Sequence, residues 1–127
     1  MDKTVISSAS APPYGPYSPG LKVGEWVFLA GQVGEGDTIE EQAEQALKRI
    51  DALLGEAGCT ISDIVSCLVH LADLSLFQRF NAVYERHVPE PRPVRTTVGA
   101  ALLGGALVEI TAVARRPAAT GQRRTGP

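Results

Sequence analysis

The sequence is poor in cysteine and offers no obvious set of metal ligands. Its two cysteines, Cys59 and Cys67, have neither a second cysteine pair nor a nearby histidine to complete a zinc site. We expect both to serve packing, since nothing in the sequence indicates the oxidising compartment that a disulfide needs. His70 and His87 also lack companions at ligand spacing, and we expect structural roles for them. With no cofactor motif present, the sequence predicts chemistry without a metal or a cofactor.

The chain also lacks a strong charge of either sign. A formal net charge of -2 and a pI near 5.6 give no broad positive field, so nucleic acid is a weak candidate partner. No charged start leads into an apolar signal segment, and no apolar run is long enough to cross a bilayer. We therefore expect a soluble, cytoplasmic protein with no membrane partner.

The length and composition fit one globular domain. The chain has 127 residues, of which 44% are hydrophobic and 20% charged, as is usual for a protein with a proper core. We expect a single domain over residues 1–116. Residues 117–127 are rich in glycine, threonine, arginine and proline, which predicts a flexible C-terminal tail.

The first half of the chain predicts two strands and a long helix. Thr4-Val5-Ile6 is a strand candidate, residues 11–20 form a proline-rich loop, and residues 26–33 read as a strand with apolar side chains on both faces. Thr38 and Glu41 have capping-box spacing and predict a helix start. Apolar residues then recur at threes and fours: Ile39, Ala43, Ala46, Leu47, Ile50, Leu53, Leu54 and Ala57. The charged residues Glu40, Glu44, Lys48, Arg49 and Asp51 lie largely away from that stripe.

The second half predicts another strand, another helix and a final pair of strands. Residues 64–71 read as a buried strand, and the capping-box spacing of Ser75 and Gln78 predicts a helix that runs to His87. Three prolines end that helix, and Gly104-Gly105 offers a hairpin turn between the last two strands. The order predicts an α+β fold with a mixed sheet and both helices on one face. Because the strands are apolar on both sides, we expect other subunits to cover the second face in an obligate homo-oligomer.

Arg95 and Glu109 are the residues that best suit small-molecule chemistry. Arg95 follows a proline-rich entry and can make a two-pronged contact with a carboxylate; otherwise it is a surface arginine in an ion pair. Glu109 alternates with an apolar face and so points away from the helices. Covered by a subunit interface it could handle a proton; uncovered, it is a solvated glutamate. Tyr17 could bond a ligand at a cleft mouth, and Gly31 inside a strand indicates a ligand close to the backbone or a β-bulge.

Several segments between about Tyr14 and Arg116 resemble the Rid family, also called the YjgF family, whose best-described members are enamine and imine deaminases. The segments that carry the resemblance are Tyr14-Gly15-Pro16-Tyr17-Ser18-Pro19-Gly20, Ala30-Gly31-Gln32-Val33, Ala57-Gly58, Phe80-Asn81-Ala82-Val83-Tyr84, Pro93-Val94-Arg95-Thr96-Thr97-Val98 and Val108-Glu109-Ile110-Thr111-Ala112-Val113-Ala114. The resemblance implies a fold like that of trimeric bacterial chorismate mutase, a homotrimer, and active clefts between neighbouring subunits.

The resemblance also implies roles for individual residues. By position, Arg95 binds the substrate carboxylate, the Gly31 amide assists it, Tyr17 lines the cleft, and Glu109 is the catalytic acid that positions water. Thr97 stands where the family has a cysteine near the substrate, and Ala30 replaces a frequent serine. Both departures allow a change of substrate.

The function that follows is hydrolytic deamination of enamine and imine intermediates, such as 2-aminoacrylate and 2-imino acids, to 2-oxo acids and ammonia. Two alternatives stay open. One is a pathway-specific enzyme of the same type that acts on another imine or carboxylate-bearing intermediate. The other is a non-catalytic trimer that binds a ligand or RNA, for which the basic residues Arg115, Arg116, Arg123 and Arg124 are the only local support.

Overall fold

The computed structural model describes residues 2–116. The predicted C-terminal tail, 117–127, lies outside the described residues. The elements in chain order are strands β1 (Lys3–Ile6), β2 (Gly20–Val23) and β3 (Trp26–Leu29), helix α1 (Ile39–Glu56), strand β4 (Ile64–Leu71), helix α2 (Phe77–His87), and strands β5 (Val94–Gly99) and β6 (Val108–Arg115). Neither helix has the length and apolar character that a membrane span requires.

The strands form one mixed sheet in the order β1-β2-β3-β6-β4-β5. β4 and β5 run parallel, and the other neighbours are antiparallel. α1 packs on β3 and β6 and also against α2. The predicted α+β fold with a mixed sheet is therefore confirmed.

β6 shows most clearly that the two faces of the sheet differ. Its residues Val108, Ile110, Ala112 and Ala114 are fully buried in the core under the helices, and the residues between them are not. The strand alternation predicted for this segment is confirmed. The opposite face, here called the bare face, carries large apolar side chains in the open, among them Trp26 and Phe28, which are 43% and 46% exposed.

The start of α1 follows the predicted capping box. The Thr38 hydroxyl accepts a hydrogen bond from the Glu41 amide at 3.1 Å, and the Glu41 carboxylate accepts one from the Thr38 amide at 3.2 Å. At the other end the chain turns through Gly58, whose φ of +77° suits glycine.

Two local predictions in the second half were wrong. Gly104-Gly105 does not make a hairpin, because β4 lies between β5 and β6 and pairs with both. The two glycines instead close a short 3₁₀ turn at Leu103–Gly105 that carries the chain past the end of β4. Ser75 and Gln78 do not form a capping box either, because α2 begins only at Phe77, after a 3₁₀ turn whose amide at Ser75 is capped by Asp73.

The capping box makes a stability prediction. Thr38→Ala removes the hydroxyl that satisfies the Glu41 amide, so we expect the free energy of unfolding to fall by about 1 kcal/mol. Denaturant titration followed by circular dichroism measures this change. Thr38→Ser keeps the hydroxyl and serves as the matched control, which should stay close to wild type. Equal stability of the alanine and serine variants would contradict the assigned cap.

Candidate functional site

Tyr17, Gly31 and Glu109 line one open cavity of about 720 Å³. Tyr17 comes from the proline-rich loop before β2, Gly31 from the segment after β3, and Glu109 from the bare face of β6. The glycine turn 102–105 forms a further wall of the same cavity. The structure thus brings together three of the residues that the sequence singled out.

A backbone bridge sets Gly31 against Glu109. The Gln32 amide donates to the Ile110 carbonyl at 2.8 Å, and the Ile110 amide donates back to the Gln32 carbonyl at 2.9 Å. A β-carbon added to Gly31 would lie only 2.7 Å from the carboxyl carbon of Glu109. The glycine therefore makes room for the Glu109 carboxylate. The strand predicted over 26–33 ends at Leu29, so Gly31 lies beyond it, and the group close to its backbone is this side chain.

The loop that carries Tyr17 is folded back on itself. The Tyr14 amide donates to the Tyr17 hydroxyl at 3.0 Å, and the Tyr17 amide donates to the Gly15 carbonyl at 2.8 Å. These bonds hold the Tyr17 hydroxyl at the edge of the cavity while the ring stays 46% exposed.

Arg95 lies in a different cavity, of about 410 Å³, between α2 and the start of β5. Its guanidinium carbon is 4.7 Å from the ring centroid of Tyr84, 5.5 Å from that of Phe80 and 5.6 Å from that of Phe77. Its Nη2 donates to the Asn81 side-chain oxygen at 2.8 Å. Three aromatic faces and one amide thus fix the cation in place. In the described part of the chain, Asn81 is its one hydrogen-bonding partner, which leaves other guanidinium N–H groups for a ligand.

Tyr84 and Cys67, two buried ionisable groups beside Arg95, are uncharged, while the charged side chains of Glu85 and Arg92 line the same cavity. Burial raises the pKa of the Tyr84 phenol, and burial likewise raises the pKa of the Cys67 thiol. Both groups are therefore protonated near neutral pH and do not neutralise the guanidinium. Cys59 and Cys67 are both free and buried, as expected for packing residues.

Arg95 and Glu109 do not meet within one protomer. Arg95 pairs in register with Cys67 and so faces the helices, whereas Glu109 pairs with His70 on the bare face. Thr97 shares the face of Arg95, and its buried hydroxyl has no hydrogen-bonding partner among residues 2–116. The site residues fall into two groups, here called the glutamate half-site (Tyr17, Gly31 and Glu109) and the arginine half-site (Arg95 with its α2 neighbours).

Sequence reasoning missed several residues that build these half-sites. Phe77, Phe80, Asn81 and Tyr84 recur at helical spacing on α2, which was a usable signal for one face around Arg95. Arg49 was expected away from the apolar stripe, and this was wrong: it is 8% exposed and contacts the loops of the glutamate half-site. No sequence pattern marked that contact, because its partners are distant in the chain.

The described residues, 2–116, contain no group of three or more histidine, cysteine, aspartate or glutamate side chains that could hold a metal ion. His70 instead lies in β4, with its Nδ1 buried and without a partner in that range. His87 lies at the end of α2, where its Nε2 is 4.0 Å from a carboxylate oxygen of Glu44.

The sheet order and the two helices on one face define the class of chorismate-mutase-like α+β proteins. Residues 8–116 match the family model described as Endoribonuclease L-PSP. The chain belongs to this family, the YjgF/Rid family, as its sequence segments indicated.

Individual relatives agree with that assignment. The chain is 40% identical over 125 residues to a RutC family protein of Pyrococcus abyssi, covering 90% of this chain and 98% of that protein. It is 35% identical over 122 residues to the human 2-iminobutanoate/2-iminopropanoate deaminase, covering 88% and 89%. The crystal structure of RidA from the Antarctic bacterium Psychrobacter superposes with a TM-score of 0.86 at 35% identity, covering 88% and 98%.

The fit of Gly31 against Glu109 predicts the effect of one methyl group. In Gly31→Ala the new β-carbon would overlap the Glu109 carboxyl group, so we expect a crystal structure to show that carboxylate displaced. Gly55→Ala is the matched control, since nothing lies within 4 Å of its added β-carbon and alanine favours the helix. An unmoved Glu109 carboxylate in Gly31→Ala would contradict the close fit.

Proposed function

We propose that this protein hydrolyses 2-imino acids and their enamine tautomers to 2-oxo acids and ammonia, at sites shared between protomers of a homotrimer. The deaminase names of the human and mouse relatives support imine deamination in general. One observation carries the proposal: Arg95 and Glu109 line two separate open cavities. Arg95 has guanidinium N–H groups left for a ligand, and the Glu109 carboxylate lies against Gly31.

The division between two cavities supports a site completed by a second copy. A 2-imino acid is too small to touch both faces of a packed sheet, so Arg95 and Glu109 of one chain cannot act on the same molecule. Glu109 lies on the bare face, whose exposed side chains include Phe28, Leu68 and Val98. Burying such a surface against a second protomer is favourable. Because β5 is an edge strand, its arginine half-site lies at the rim of the sheet and could face Glu109 of a neighbouring protomer.

The chemistry assigns each half-site one task. The guanidinium of Arg95 pairs with the substrate carboxylate through two parallel hydrogen bonds. The Glu109 carboxylate orients a water and accepts its proton as the oxygen attacks the imine carbon. Glu109 gives this proton to the imine nitrogen, which completes a carbinolamine. The proton of the carbinol hydroxyl then also passes to the nitrogen as the carbon–oxygen double bond forms and the carbon–nitrogen bond breaks. A 2-oxo acid and ammonia leave, and ammonia takes up a proton from solvent. Holding water and an already reactive imine together is sufficient catalysis for such a reaction.

The RNA alternative gains little from the described residues. Arg115 donates to the Glu25 carboxylate at 2.6 Å, and Arg116 lies along the end of α1 near the Ala57 carbonyl. The remaining basic residues, Arg123 and Arg124, lie outside the described residues. The pathway-specific alternative keeps the same site and differs only in the substrate, so a panel of imines with different side chains separates it from general deamination.

A complementation experiment tests the shared site. Arg95→Met and Glu109→Gln should each lower turnover of 2-aminoacrylate by about 100-fold or more. The first removes the group that binds the substrate carboxylate, and the second removes the group that activates water. The imine is generated by a PLP-dependent serine dehydratase, and 2-oxo acid release is followed above the spontaneous rate. Co-expressed in equal amounts, the two variants should regain about a quarter of wild-type activity, since in a cyclic trimer that share of sites combines the two intact residues.

The controls separate the possible failures. Arg95→Met mixed with itself, and Glu109→Gln mixed with itself, must stay inactive. Single variants that lose activity but never complement one another would show that both residues serve one chain. An Arg95→Met protein as fast as wild type would exclude the carboxylate role of Arg95.

A further inference from the structure

One side of α1 carries polar residues that bind the loops of the glutamate half-site. Gln42 donates from its side chain to the Gly36 carbonyl at 3.0 Å and accepts from the Leu107 amide at 2.8 Å. One turn further along, the Gln45 side-chain oxygen accepts from the Glu35 amide. Leu107 comes two residues before Glu109, so these bonds hold both the loop after Gly31 and the start of β6.

Arg49 is the third member of this row, and among residues 2–116 it is the one charged residue that is buried. Its Nη1 donates to the Val33 carbonyl at 2.7 Å and to the Tyr14 hydroxyl at 3.3 Å, and its Nη2 donates to a Glu35 carboxylate oxygen at 3.2 Å. The Arg49 side chain is 9% exposed, whereas that of Glu35 is 82% exposed. An ion pair with so exposed a partner contributes little by itself, so it does not account for burying a cation.

The contacts of Arg49 lead directly to the cavity. Tyr14 receives the Arg49 hydrogen bond on its hydroxyl, and its own amide donates to the Tyr17 hydroxyl at 3.0 Å. Because the Tyr17 oxygen accepts this bond, its own hydrogen stays available to a ligand. Among residues 2–116 no other side chain bonds the Tyr14 hydroxyl or the Tyr17 hydroxyl.

We propose that Arg49 is a positioning residue that sets the Tyr17 hydroxyl for ligand binding by fixing Tyr14 to α1 and to the segment that follows Gly31. This inference rests on the proposed function for its catalytic consequence. The guanidinium suits the task because one nitrogen can bond two oxygens from separate loops at once. A lysine at this position has the charge but not the planar fork.

The test compares Arg49→Met and Tyr14→Phe with Arg79→Met. Arg79 is the matched control: its two bonds, both 2.7 Å, go to Glu40 on the surface, away from either cavity. In Arg49→Met and Tyr14→Phe we expect KM for 2-iminopropanoate to rise about tenfold with kcat changed far less, as when binding contacts are lost and the chemistry is kept. Arg49→Lys should recover part of the loss, and Arg79→Met should behave as wild type.

Tyr14→Phe guards against a variant that fails to fold. Tyr14 is 68% exposed and loses only its hydroxyl, so this chain should fold even if Arg49→Met does not. In the double variant the rise in KM should not exceed that of Arg49→Met, because the two residues act through one contact. Additive rises, or an unchanged KM in Tyr14→Phe, would overturn the inference.

Amide hydrogen exchange of the unliganded protein gives a readout that does not depend on turnover. Exchange at the Tyr14 and Tyr17 amides should speed up in Arg49→Met and Tyr14→Phe but not in Arg79→Met. Unchanged exchange in both variants would overturn the positioning role whatever the activity. If exchange speeds up as expected while wild type hydrolyses no imine, the positioning role stands and the proposed function fails.

Discussion

The structure depends on one constraint: the helices cover a single face of a sheet whose side chains alternate between two faces. In β6 this alternation buries Val108 and Ile110 under α1 and turns Glu109 to the opposite side. In β5 the same rule turns Arg95 towards the helices, where the rings of α2 hold it. Neither residue can change face without a register shift that would expose the core. The separation of the half-sites is therefore as fixed as the core itself.

The elements that the sequence predicted correctly are those decided by short-range rules. The Thr38 and Glu41 pair marks the start of α1 because the two side chains cap each other's amides within one turn. β4 was predicted with its full extent, 64–71, because a mostly apolar run of that length, rich in valine, isoleucine and leucine, fits a strand. The structure buries only one of its faces, and Leu68 on the other is 38% exposed. The prediction of a hairpin at Gly104-Gly105 was wrong because turn residues indicate only that the chain bends there, not which strands pair. Which strands pair was decided by β4, which lies between β5 and β6.

The candidate site also combines features that the sequence predicted with features that only the fold determines. Arg95, Glu109, Tyr17 and Gly31 could be named from the sequence because each lies in a motif shared with the Rid family. Their distribution between two cavities could not, since it depends on the tertiary fold. The burial of Arg49 could not be predicted from the sequence for a related reason. On a helical wheel it borders the apolar stripe, and only the packing of the Tyr14 loop and the Val33 segment over α1 buries it.

The two helices hold the two half-sites at a fixed separation. Gln42 and Arg49 of α1 bind the loops around the glutamate half-site, and the aromatic residues of α2 hold the arginine half-site. α1 packs directly against α2. The packing of each protomer thus keeps its own two half-sites apart. In the proposed trimer the reacting geometry is therefore set by how the bare faces meet, so apolar residues such as Phe28 would influence catalysis without touching the substrate.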